Sequence, residues 1–101
     1  MTEKHHFLYQ FILGDRAELA TNPDAWTEEE NQISADHYAY LKQALEDGVL
    51  IFAGRSLDGI GPAVVVIEAE TEDAARAFLR EDPFVKSALF GAELHPRVGC
   101  G

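Results

Sequence analysis

Cysteine is almost missing from this chain of 101 residues. The single Cys100, in a Gly99-Cys100-Gly101 ending, allows no intrachain disulfide. A reducing, cytoplasmic setting is the simpler expectation, with the thiol incidental. Basic residues are scarce too, eight against eighteen acidic ones, for a formal net charge of -10. That field repels phosphate backbones and anionic bilayers, so neither nucleic acid nor a membrane is an expected partner. Long apolar runs are also lacking. The first apolar segment, residues 7–13, is interrupted by Gln10 and carries no small-residue cleavage site, so neither a spanning helix nor a secretion signal is expected. No His-Glu-x-x-His spacing occurs, and the acidic residues are spread as a solvated surface rather than a ligand set. The glycines between 54 and 61 precede a strand instead of opening a helix, which speaks for a hairpin loop and against a phosphate cradle. The expectation is a protein without metal or cofactor.

What remains is an ordinary globular composition, 47% hydrophobic and 26% charged, of a length that suits one domain with one core. Residues 7–13 are aromatic and β-branched and read as a strand buried on both faces. A loop over 15–26 holds Asn22-Pro23-Asp24 and the lone Trp26. Thr27-Glu28-Glu29-Glu30 is a capping-box sequence, and the helix it opens runs to about residue 47, with Gly48 as its left-handed stop. Strands follow over 49–53 and 63–67. Thr71 caps a second helix over 72–81, with Ala74, Ala75, Phe78 and Leu79 inward, and Asp82-Pro83-Phe84 ends it. A last strand, 88–98, contains Pro96 and so belongs on an edge.

The order β-α-β-β-α-β predicts a ferredoxin-like α+β sandwich, a four-stranded antiparallel sheet in the order 4-1-3-2. Two helices cover one face only. The other face predicts a homodimer packed sheet against sheet.

On the first helix Ile33, His37, Leu41, Ala44 and Leu45 recur every three or four residues, which sets a histidine on the core-facing stripe. Four segments, His37-Tyr38-Ala39-Tyr40-Leu41, Gly48-Val49-Leu50-Ile51-Phe52-Ala53-Gly54, Asp82-Pro83-Phe84-Val85 and Glu93-Leu94-His95-Pro96, together resemble the YCII-related (YciI-like) proteins, over residues 7–98. The resemblance implies a dimeric α+β barrel, related in architecture to muconolactone isomerase and small cofactor-free monooxygenases. It also implies a site made of the first-helix histidine and the aspartate of the Asp-Pro-Phe turn, here His37 and Asp82, and, from some members, elimination chemistry on small aromatic compounds. Two departures alter the charge of the pocket. Gly54-Arg55 stands where many relatives have Gly-Pro, and Ser34-Ala35-Asp36 replaces a stretch that often holds a basic residue.

The topology points the same way. The end of the second helix comes near the first half of the first, so Asp82 and His37 can meet. An aspartate there fixes one imidazole tautomer and leaves the other nitrogen to act as general base or acid. Arg55 is placed to meet an anionic substrate oxygen, and Tyr9 or Tyr40 to donate a hydrogen bond to one. The expected function is proton transfer, isomerisation or elimination, on a small aromatic or enolic ligand. Alternatives are a non-catalytic ligand-binding or protein-interaction module and a cofactor-free oxygenase. Without the resemblance, His37 reads as a hydrogen-bonded core histidine and Asp82 as a turn former. Tyr38, Tyr40 and Trp26 read as packing residues, His5 and His6 as an exposed terminus, and His95 as solvent-facing.

Overall fold

The computed structural model describes residues 4–58 and 62–97. Its elements are β1 (His5–Ile12), two 3-10 segments (Gly14–Ala20 and Pro23–Ala25), α1 (Glu28–Glu46), β2 (Leu50–Arg55), β3 (Ala63–Ala69), α2 (Glu72–Glu81), α3 (Pro83–Lys86) and β4 (Gly91–Arg97). The sheet runs β2-β3-β1-β4 with every pair antiparallel, the expected order. The two strands that read as continuously apolar are the central ones. Pro96 lies on edge strand β4, opposite Phe7.

Register and pleat sort the side chains. Phe7, Tyr9 and Phe11 of β1, with Val65 and Ile67 of β3, point to the helices and form the core with Leu41, Ala75 and Leu79. Leu8 and Val66 alternate to the other face. Val66 is buried but stands outside that core, shielded on a face where Phe52 remains 56% exposed.

Both helix starts are written in the sequence. Thr27 accepts from the Glu30 amide while the Glu30 carboxylate accepts from the Thr27 amide, and Thr71 accepts from the amide of Ala74. Gly48, at φ +77°, follows the end of α1 as expected. The inward stripes are narrower than predicted. Leu45 is 59% exposed and Ala74 is also exposed. Each four-residue step advances about 40° round a helix, so Leu45, two steps past His37, has rotated about 80° off the stripe.

Three further expectations are corrected. Residues 15–26 are not a plain loop: 3-10 turns bury Leu19, and Trp26 Nε1 donates to the Leu19 carbonyl. Arg16 donates to both carboxylate oxygens of Glu30 and to the Ala25 carbonyl, tying this segment to the start of α1. Second, β4 begins at Gly91, not 88, because Ala88 takes a left-handed conformation, φ +64°, and turns the chain first. Third, His5 is exposed as expected, but both His5 and His6 belong to β1, with His6 Nε2 3.9 Å from Glu68. Val98, Cys100 and residues 59–61 lie outside the described residues.

The Arg16 hydrogen bonds, reinforced by the Thr27 amide, hold the Glu30 carboxyl below the usual carboxylate range. A lowered folded value stabilises above the ordinary glutamate pKa, about 4.3, and that stability is lost as pH falls through the lowered value. Glu30→Gln is therefore expected to flatten the acid limb of stability against pH, measured by urea unfolding between neutral pH and pH ~3; an unchanged limb would show that the network carries no such linkage.

Candidate active site

Asp82 does two jobs in the backbone before it does any chemistry. It ends α2, where Pro83 forbids a further turn, and with φ -60° and ψ 124° it caps α3, its Oδ1 accepting from the Phe84 amide at 3.0 Å. This cap aims the carboxylate inward. Asp82 is fully buried, 0% exposed.

A buried carboxylate needs donors, and here they come from three places. Besides the Phe84 amide, the Tyr9 hydroxyl donates to Oδ2 at 2.8 Å, and His37 Nδ1 lies 2.7 Å from Oδ1. Because an ionised carboxylate only accepts, the Nδ1 position of His37 carries the proton. Nε2 of the neutral ring is then a lone-pair acceptor. It has no protein partner among the described residues, where no buried side-chain polar atom is left unsatisfied, so Nε2 opens on the adjoining cleft.

That cleft is a broad space of about 1010 Å³ with His37, Trp26, Phe84, Phe90, Phe11 and Arg55 among its walls. His37 is only 5% exposed. Its ring stacks on Phe84 at 4.1 Å, and the edge of Phe11 lies 5.6 Å away. Trp26 in turn meets Phe84 and Phe90. The aromatic packing fixes the plane of the imidazole, and Asp82 fixes its tautomer.

The structure brings His37, Asp82 and Tyr9 into one hydrogen-bonded group, sets Arg55 on the cleft wall, and keeps Tyr40 apart. The Tyr9 hydroxyl is turned to Asp82 and does not line the cleft. Burial first, then the Asp82 charge, pushes its phenol far above the ordinary tyrosine range, so it stays a donor. Tyr40 donates to the Phe78 carbonyl at 2.8 Å and joins α1 to α2. Its phenol is pushed up to about 12, by burial and then by Asp82 and Glu81. His95 is exposed on β4, and no group of three or more potential metal ligands occurs among the described residues.

Sequence reasoning missed Tyr9 as the partner of Asp82 and Phe84 as the platform beneath His37. Both carried a signal. The alternation of β1 puts Tyr9 on the helix face, and a residue two after an Asp-Pro cap has its amide on the carboxylate and its side chain beside it.

Residues 14–93 match the YCII-related domain. Among solved structures, the chain is similar to the 5-chloro-2-hydroxyhydroquinone dehydrochlorinase TftG of Burkholderia phenoliruptrix AC1100, determined in complex with 2,5-dihydroxybenzoquinone. The identity is 18%, the TM-score 0.65, and the alignment covers 98% of this chain and 96% of that one, a likeness of fold. No curated protein sequence matches the chain. Since the domain match spans most of the length and agrees with the observed sheet order, the chain belongs to the YCII-related domain family.

Proposed function

We propose that this chain is a small cytoplasmic, cofactor-free enzyme in which His37 and Asp82 move protons on an aromatic or enolic compound. The observation that carries the reading is the contrast between the two nitrogens of His37, one held by a fully buried carboxylate, the other open to an aromatic cleft. Nε2 takes a proton from a substrate C–H or O–H, and the imidazolium that forms is stabilised by Asp82. The proton then returns at a different atom, an isomerisation, or the substrate's electron pair expels a leaving anion, an elimination. The similar fold of a dehydrochlorinase supports the second course.

Two assays suit the proposal: chloride release from a chlorinated hydroxyhydroquinone, and deuterium wash-in at the carbon beside the carbonyl of a cyclic enolic ketone. His37→Ala and Asp82→Asn are expected to lower either rate by about 10²–10⁴-fold with the fold retained. Equal rates in wild type and His37→Ala, or a bound compound recovered unchanged by the wild type, would overturn the reading in favour of a binding module.

Tyr9 serves this reading as a positioning residue. Tyr9→Phe leaves Asp82 Oδ2 without its donor, an expected loss of about 1–3 kcal/mol in unfolding free energy. It also removes an alkaline linkage. The raised folded phenol stabilises the protein below the ordinary tyrosine pKa, about 10, and that stability is lost as pH rises above it. Urea unfolding from neutral pH to pH ~11 is expected to show a smaller alkaline loss in Tyr9→Phe; equal losses would detach Tyr9 from Asp82.

The second part of the proposal is a homodimer through the open sheet face. Its support is the apolar surface there, Leu8 and Val66 at the centre and Phe52 and Ile12 exposed beside them. Light scattering at micromolar concentration is expected to give twice the chain mass, and Phe52→Glu to give the monomer. A monomeric wild type would refute it.

A further inference from the structure

The cleft differs from the rest of the molecule in charge. Among the described residues Asp58 is the one acidic side chain on its walls, where it accepts a hydrogen bond from Ser56. Its one permanently charged cation is Arg55. Among the described residues Arg55 makes no ion pair or side-chain hydrogen bond, whereas Arg16, at the start of α1, is held by Glu18 and Glu30. An exposed guanidinium on the wall of a cleft, without an ion pair among the described residues, is a ready site for an anion.

Its place relative to Phe11, the neighbour of His37, is set by the sheet. Arg55 pairs with Ala63, and the β1–β3 register, which pairs Gln10 with Val64, brings Phe11 alongside Ala63. These three residues form one row on the helix face. Two strand spacings, roughly 10 Å, separate the backbone of Arg55 from that of Phe11. The Phe11 ring lies 5.6 Å from His37. Ala63, with only a methyl side chain, lies between Arg55 and Phe11 in this row and leaves the floor low.

Resting on the proton-transfer reading of this site, we propose that its substrate is a single-ring planar anion. Arg55 holds the anionic oxygen, a carboxylate or an ionised phenol or enol; the ring lies over Ala63 and Phe11; and the edge that gives up a proton faces His37 Nε2. Arg55 is thus the specificity-determining residue.

The test is a chemical-shift titration of the ¹⁵N-labelled protein with benzoate, 4-nitrophenolate and the neutral benzamide. At least one anion is expected to bind about tenfold or more tightly than benzamide, and which one identifies the oxygen. Arg55→Gln is expected to reduce the anions to the affinity of benzamide, and Arg55→Lys to restore part of the difference. Equal binding of benzoate, nitrophenolate and benzamide, no anion binding at millimolar concentration, or undiminished anion binding in Arg55→Gln would each overturn the proposal. The titration is repeated in His37→Ala. Discrimination retained there, with no turnover by the wild type, would sink the proton-transfer reading and leave the anion site standing. Turnover dependent on His37 but indifferent to Arg55 would do the reverse.

Discussion

A carboxylate with no contact to solvent is the constraint to which the rest of this structure answers. Burying an unpaired charge costs several kcal/mol even after relaxation, a large share of the 5–15 kcal/mol by which a small domain is stable. Asp82 is tolerated because its three donors reach it from separate elements: Tyr9 from β1, His37 from α1 and the Phe84 amide from α3. The same bonds therefore fix the first helix over the sheet and set the end of the second against it. Removing a donor exposes the full cost of the buried charge.

This arrangement gives His37 two unlike sides. Toward Asp82 all hydrogen-bonding capacity is used, and the ring is clamped by Phe84 and Phe11. Toward the cleft, Nε2 has no protein partner among the described residues. One fixed nitrogen and one open one is what a group that exchanges protons requires, since neither the tautomer nor the ring plane need be reorganised when a ligand arrives.

Much of this was legible in the residues. The unbroken apolar runs of β1 and β3, the proline of β4 and the two Thr caps fix the sheet order and the helix starts, and antiparallel helices then bring residue 82 to residue 37. Those signals are local in sequence or follow from chain topology. Tyr9 was harder to assign, because a tyrosine in an apolar strand has the same pattern whether its hydroxyl meets a ligand or a buried acid. Only the register, which sets it across from Val65 beneath α2, decides the matter. The 15–26 segment reads as a loop for a related reason. Its order depends on Arg16 bridging to Glu30 fourteen residues later and on Trp26 reaching the Leu19 carbonyl, contacts without periodicity. Leu45 shows the limit of the helical stripe itself: a three-or-four spacing tolerates drift that the packed helix does not.

The net charge sets a further condition on any anionic ligand. A chain at -10 repels an anion at long range, but exposed charges are screened over about 8 Å at physiological salt. Within the cleft the charges on the described walls balance, Arg55 against Asp58. Arg55 stands on the wall without an ion pair among the described residues, whereas Asp58 accepts a hydrogen bond from Ser56. The global field slows the approach of anions in general, and a direct contact with Arg55 rewards those shaped to lie between Arg55 and His37. Selectivity of this kind follows from geometry, because a charge too far from the imidazole, or a ring too wide for the row of Phe11, Ala63 and Arg55, would meet the repulsion without the compensating contact.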